Sequence, residues 1–190
     1  MSQSEKIKYK FLKKRKYVLG DYSIVPLRND DILKIKTWRN DQIDILRQKN
    51  LLSDSQQKEY YHNLIENSFY VSKPSEILFS FLVNHECVGY GGLVHIDWLK
   101  EKGEISFIND TIRASNDELY RSDFTKFTSL LFEIIFSELK FEKVTTETYG
   151  IRRNTLKLLD ELGFKLNHVK GNNVQINNKK YDSFFHEYSN

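Results

Sequence analysis

The chain has 190 residues, with 29 lysines and arginines against 26 aspartates and glutamates, and a formal net charge of +3. That length supports one full-sized domain but not two. Hydrophobic residues make up 39% and aromatic residues 14%, so a packed core rich in rings can form. The net charge is too small to indicate nucleic-acid binding by itself, and we expect no nucleic-acid partner.

Cys87 is the single cysteine, which excludes an internal disulfide and fits a reducing compartment. It lies in an apolar run, so we expect it in the core rather than as a nucleophile. No apolar stretch reaches the length of a membrane span, and the N-terminus lacks a signal-type hydrophobic segment. The sequence therefore predicts a cytoplasmic protein.

Basic residues are concentrated in residues 6–16. They could hold an anion or a membrane surface, but a solvated arm or a lysine-guarded edge strand is the simpler interpretation. We therefore predict a basic N-terminal arm over residues 1–16 and a single domain over residues 17–190. The domain opens with a strand over Tyr17–Leu27, with a turn or bulge at Gly20.

Two helices are predicted after this strand. The first follows the N-cap residue types Asn29 and Asp30, and its apolar positions recur at helical spacing as far as Trp38. The second follows Ser53, where Gln56 three residues later completes a capping-box pattern.

Three antiparallel strands follow the helices. Residues 77–83 form an apolar run, and the turn residues after it predict a hairpin with a strand over Val88–Ile96. A polar loop then leads to a strand over Glu104–Ile108, on which Glu104 and Ser106 share one face. A carboxylate that opens an apolar strand is costly to bury, so we expect Glu104 to have a partner or a chemical task.

The second half of the chain contains the strongest helical pattern, because apolar residues recur every three or four positions from Phe124 to Leu139. The predicted elements in order are a loop over 111–120, this long helix, a strand over Lys143–Tyr149, a helix over Arg153–Leu162 stopped by Gly163, and strands over Phe164–Lys170 and Tyr181–Tyr188 around an Asn-rich loop over 171–180. This order predicts an α/β fold with a mixed, mostly antiparallel sheet and flanking helices. The long helix crosses over between neighbouring parallel strands.

Four segments together resemble the GCN5-related N-acetyltransferases, above all the branch of ribosomal-protein N-terminal and amino-sugar acetyltransferases. The resemblance covers about residues 17–188, and no single motif in it is specific. The four segments are Trp38-Arg39-Asn40, the central hairpin from Val88 to Phe107, the helix ending in Gly163-Phe164, and the closing hairpin from Val174 to Tyr188.

The resemblance implies splayed central strands that bind acetyl-CoA between them. No metal is expected, because the five histidines are scattered along the chain. It places the donor to the thioester oxygen among the backbone groups around Ile105 to Ile108, with Ile105 and Phe107 at the cofactor, and the general base at Glu104. His95 on the preceding strand is a second titratable candidate, although a surface role is the simpler interpretation. Glu104 itself could instead pair with a lysine at the strand end.

Two family features are absent from their usual positions. The glycine-rich turn that binds the pyrophosphate corresponds here to residues 119–124, which contain no glycine. The remaining candidates for that role are Arg121, Ser122, Phe124 and Thr125, and a simple helix N-terminus is an equal alternative. The tyrosine that acts as general acid in the family corresponds here to Leu159, so Tyr149, Tyr120 or Tyr90 would have to replace it.

The predicted acceptor side consists of Trp38, Arg39, Asn40, Asp97 and Trp98. Arg39 could pair with a phosphate or carboxylate, or form a structural salt bridge. Trp38 could equally pack in the core, and Asp97 with Trp98 could equally anchor a loop. No histidine or cysteine spacing fits a zinc site.

The predicted function is therefore acetyl-CoA-dependent N-acetylation of a small amine, most of all a nucleotide-linked amino sugar of a surface-glycan pathway. Acetylation of a protein N-terminus is one alternative. A catalytically silent binding protein of the same fold is the other, because the glycines and the tyrosine are missing. A homodimer, formed edge to edge or through helices, is the expected oligomer.

Overall fold

The computed structural model describes residues 7–190. Its strands form one eight-stranded sheet in the order β1-β2-β3-β4-β5-β6-β8-β7. The strands are β1 (Tyr17–Leu19), β2 (Tyr22–Pro26), β3 (Ile77–Val83), β4 (Glu86–Asp97), β5 (Lys102–Asn109), β6 (Lys143–Tyr149), β7 (Lys165–Ile176) and β8 (Lys179–Ser189). The predicted mixed, mostly antiparallel fold is confirmed.

Helices connect the strands. They are α1 (Ile32–Asp41), α2 (Asp54–Tyr60, continued by a π-helical segment Tyr61–Ile65 and a turn Glu66–Ser68), the short α3 (Thr111–Ala114), α4 (Asp117–Phe132, continued by a π-helical segment Glu133–Glu138) and α5 (Arg153–Glu161). Within residues 7–190, no helix is long and apolar enough to cross a membrane.

The centre of the sheet opens where β5 meets β6. This pair is parallel, and its ladder runs from Lys102 opposite Lys143 to Glu104 opposite Thr145. Beyond that point β5 continues to Asn109 and β6 to Tyr149 without pairing with each other. The facing backbone edges are therefore free to bind an extended ligand.

Local sequence patterns correctly predicted the ends of two helices. Ser53 accepts a hydrogen bond from the Gln56 N–H, and the Gln56 side chain accepts one from the Ser53 N–H, so the predicted capping box is present. Gly163 ends α5 with a φ of +89°, as expected of a left-handed stop. The predicted first strand is divided in two, because Gly20 adopts a φ of +60° and forms a tight turn.

Two predicted loops are wrong. Residues 111–120 contain α3 and the first turn of α4, because Asp110 and Asn116 cap these helices with their side chains. The loop predicted over 171–180 is the end of a long hairpin, in which β7 and β8 are joined at Asn177 and Asn178. Both asparagines have positive φ, which asparagine tolerates in a two-residue turn.

The core lies between the sheet and α4. Phe107 packs against Phe127 with ring centroids 4.6 Å apart, and Phe81 meets both rings edge-on. Part of the predicted N-terminal arm joins this core, since Tyr9 and Leu12 are buried. Residues 7–12 thus pack on the domain and residues 13–16 are exposed, whereas residues 1–6 lie outside the described residues.

Candidate active site

A cavity of about 280 Å³ occupies the gap between β5 and β6. The diverging halves of these strands form two of its walls, and the connection after α1 closes a third. Glu104 stands at the point of divergence, and Glu147 lies on the neighbouring part of β6. The side chain of Glu104 thus faces the gap, as the sequence predicted.

Arg47 joins the carboxylates of both strands. Its Nη2 lies 2.9 and 3.1 Å from the two oxygens of Glu104, and its Nε donates to Glu147 at 3.1 Å. Its Nη1 donates to Nε2 of His95 at 2.9 Å. A guanidinium has five donors in a fixed plane, so one side chain can hold all three partners.

The cluster shifts the titration of its members. Burial acts to raise the pKa of Glu147, but the hydrogen bonds from Arg47, Ser183 and Asn173 and the charge of Arg47 together outweigh it and hold that pKa below its usual value. Burial likewise acts to lower the pKa of Arg47, and its bonds to Glu147 and Glu104 raise it instead. Arg47 is therefore charged, and Glu147 is ionised at neutral pH.

A second polar group lines the opposite side of the cavity. Arg39 donates to the hydroxyl of Tyr90 at 2.5 Å and to the side-chain oxygen of Gln48 at 3.0 Å. Tyr60 donates to Glu76 at 2.6 Å, and burial raises the pKa of Glu76 despite that hydrogen bond. Within residues 7–190, the hydrogen-bonded side-chain partners of Arg39 are both neutral.

The other candidate acids and bases also lie in the cavity wall. Tyr149 ends β6 and is nearly buried, and this burial raises the pKa of its hydroxyl. His95 is exposed, adopts a φ of +51° and contacts Arg47. Ile105 and Phe107 line the cavity from β5.

The predicted acceptor residues divide into two groups. Arg39 lines the cavity, but Trp38 is buried in the core and Asn40 fixes the connection after α1 through bonds to Leu52. Asp97 accepts hydrogen bonds from the N–H groups of Leu99 and Lys100, and the indole N–H of Trp98 donates to the Pro74 carbonyl at 2.7 Å. These four residues have structural roles, and their predicted contact with the acceptor stays a prediction.

The predicted pyrophosphate turn is helical. Residues 119–124 lie inside α4, so the expectation of free N–H groups at Phe124 and Thr125 is wrong. Arg121 pairs with Glu161, and the hydroxyl of Ser122 lies 3.2 Å from that of Tyr22. Phe124 fills part of the cavity wall instead.

Sequence reasoning missed Arg47, Glu147 and Glu76. Glu147 interrupts a strand of β-branched residues, so the argument that found Glu104 would have applied to it as well. Arg47 lies in a polar connection without periodicity, and no local signal distinguishes it from neighbouring exposed residues. Only the fold brings it to the carboxylates.

The model of the acetyltransferase (GNAT) domain family matches residues 24–185 of the chain. The chain belongs to this family of N-acetyltransferases. No curated protein matches it in sequence. Enzymes of this family transfer an acetyl group from acetyl-CoA to an amine, which confirms the predicted class of reaction.

Solved structures share the fold. A spermidine N-acetyltransferase from Vibrio cholerae in complex with CoA and spermine matches with a TM-score of 0.76 and 15% identity, over 90% of this chain and 96% of that one. A dodecameric structure of the same enzyme in an intermediate state matches with a TM-score of 0.73 and 16% identity, over 90% and 95%. At such identity the likeness establishes the fold alone.

The residues of the gap fit one part of acetyl-CoA and not another. The unpaired edges of β5 and β6 suit the amide-bearing pantetheine arm. The start of α4 does not offer the family's glycine-rich phosphate turn. Among residues 7–190, no group of three or more metal-ligating side chains is placed to hold a metal ion, and independence from metals stays a prediction.

Proposed function

We propose that this acetyltransferase acetylates a small primary amine, with Glu104 as the general base. The position of Glu104 carries the proposal, because it stands where β5 and β6 diverge and lines the cavity between them. A base must lie within hydrogen-bond reach of the proton that it takes.

Glu104 takes a proton from the amine while its nitrogen bonds to the thioester carbon. The C–S bond breaks, and the hydroxyl of Tyr149 gives a proton to the departing sulfur, so the products are an amide and a thiol. Burial keeps Tyr149 protonated at neutral pH, as this role requires. Arg47 must move away from Glu104 first, and Glu147 can retain it.

Arg39 favours an acceptor that carries an anionic group, such as a nucleotide-linked amino sugar of surface-glycan biosynthesis. Its guanidinium is partly buried, its hydrogen-bonded side-chain partners are neutral, and the carboxylate of Glu76 acts on it through charge without a hydrogen bond. A desolvated cation gains from an anionic partner to which it can donate hydrogen bonds. This proposal agrees with the resemblance to the ribosomal-protein and amino-sugar branch.

A polyamine is the second candidate acceptor. Three carboxylates, those of Glu76, Glu104 and Glu147, line the same cavity and could hold ammonium groups. The Vibrio cholerae enzyme of similar fold is named for acetylation of spermidine.

The test measures thiol release from acetyl-CoA with amino-sugar nucleotides, polyamines and peptides with free N-termini. We expect Glu104→Gln to lower kcat by about 100-fold or more. Glu86→Gln, an exposed residue at the start of β4, serves as the matched control and should leave the rate unchanged.

Arg39→Gln should raise the KM of an anionic acceptor and leave that of a polyamine unchanged. An unaltered rate in Glu104→Gln would rule out the assigned base. Thiol release with polyamines alone would reject the anionic acceptor.

A further inference from the structure

The start of α4 cannot bind a diphosphate as a turn of this family does. Residues 119–124 are helical, so their N–H groups from Tyr120 onward donate to carbonyls one turn earlier, and the Leu119 N–H donates to the side chain of Asn116. The side chains there also fill space, since Tyr120 and Phe124 are buried beside Phe107.

Buried contacts fix this helical conformation. Asp123 is fully buried and accepts two hydrogen bonds from Arg113, at 2.7 and 2.6 Å, and one from Asn109 at 3.0 Å. The hydroxyl of Tyr120 accepts from Arg152 at 2.7 Å. Unwinding α4 into a turn would break these bonds and leave a buried charge without a partner, which is costly.

The actual N-terminus of α4 is also poorly suited to an anion. The side chain of Asn116 already accepts the Leu119 N–H, and Asp117 and Glu118 occupy the first turn. The adjoining cavity of about 470 Å³ is lined by three carboxylates against two guanidinium groups. These are Asp41, Asp44 and Asp117 against Arg152 and Arg153.

The gap between β5 and β6 offers unpaired backbone groups instead. Its strand edges lack partners beyond Glu104 and Thr145, and they can exchange hydrogen bonds with neutral amides. Tyr120 and Arg152 line both cavities, so a ligand that leaves the gap on this side passes the acidic cavity.

We propose that this enzyme recognises its acyl donor through the pantetheine arm, and that the diphosphate and adenosine of CoA add little to binding. The inference rests on the proposed acetyl transfer. The ligand class is a pantetheine thioester, whether the arm ends in a hydroxyl, a phosphate or the full nucleotide.

The first experiment compares kcat/KM for acetyl-CoA, S-acetyl-4′-phosphopantetheine and S-acetylpantetheine with one acceptor. Each charge-assisted hydrogen bond to a diphosphate would contribute a factor of about ten or more. We expect the three donors to agree within about tenfold. A larger preference for acetyl-CoA overturns the proposal.

The second experiment needs no turnover. Thermal unfolding is followed with CoA, pantetheine or adenosine 3′,5′-diphosphate at equal millimolar concentration. We expect CoA and pantetheine to raise Tm equally, by about 3–5 °C at ten times their Kd, and adenosine 3′,5′-diphosphate to leave it unchanged. Stabilisation by adenosine 3′,5′-diphosphate, or by CoA alone, overturns the proposal, as does stabilisation by none of the three.

Arginine variants test whether the cavity of about 470 Å³ binds the diphosphate after all. Arg152→Gln and Arg153→Gln should leave the ratio of acetyl-CoA to S-acetylpantetheine efficiency unchanged, and a fall in that ratio would assign the diphosphate to these residues. If CoA and pantetheine bind equally but no amine is acetylated, the proposed function fails while the arm-based recognition stands.

Discussion

Replacing Arg113 by alanine tests how firmly the start of α4 is fixed in its helical form. Arg113 holds Asp123 through two hydrogen bonds, and the Asp123 side chain has 0% exposure. Without Arg113, the carboxylate keeps Asn109 as its remaining hydrogen-bond partner in residues 7–190. The variant thus leaves the carboxylate of Asp123 without its cationic partner.

Removal of one partner from a buried pair costs about 3–5 kcal/mol. Full burial of Asp123 favours the upper half of this range, about 4 kcal/mol or more. For a chain of this size, such a loss lowers Tm by about 8–16 °C. Urea unfolding, with the slope m unchanged, measures the free energy of unfolding directly.

Two further variants make the measurement specific. Arg121→Ala breaks the ion pair between Arg121 and Glu161, whose side chains are 58% and 47% exposed. It should lower the free energy of unfolding by less than about 1 kcal/mol. Arg113→Met combined with Asp123→Leu should recover at least half of the loss, limited by Asn109, which loses its acceptor. A cost for Arg113→Ala no larger than that of Arg121→Ala would refute the idea that this pair fixes α4.

Two other predictions concern the cluster at Arg47 and the cap of α2. The folded-state pKa of Glu147 is depressed, so its contribution to stability is present above its unfolded pKa near 4.3 and is lost as pH falls through the folded value. Arg47→Gln should therefore lower the free energy of unfolding by about 1 kcal/mol at neutral pH, a small loss because Arg47 is 48% exposed. The loss should become progressively smaller below about pH 5. A loss that does not change with pH in urea unfolding would contradict this. Ser53→Ala should lower the free energy of unfolding by about 1 kcal/mol through loss of the capping box, whereas Glu59→Ala at an exposed position of the same helix should not; equal losses would show that the cap contributes nothing.

Local patterns predicted what local interactions decide. The cap at Ser53, the apolar run of β3 and the periodic face of α4 each depend on neighbours within a few residues, and each is present. The first half of β7 was predicted, but residues 171–176 were predicted as a loop. They begin with the turn-type residues Gly171, Asn172 and Asn173, and no alternation of apolar and polar residues marks them as a strand. The helical start of α4 was missed because its residues are polar and its cap at Asn116 was overlooked.

The sequence by itself determined the order of most helices and strands along the chain, and its resemblance to the family implied the position of Glu104 at the central gap. The hydrophobic spacing within a segment is a property of the sequence, so helices and strands with a clear period can be identified without coordinates. The tertiary structure alone decided that Arg47 bridges Glu104 and Glu147, which are 57 and 100 residues away from it along the chain. It alone also decided that α4 replaces the phosphate turn, because a buried pair between Arg113 and Asp123 holds the helix. Contacts between residues that are distant along the chain depend on tertiary packing, so a local sequence pattern cannot predict them.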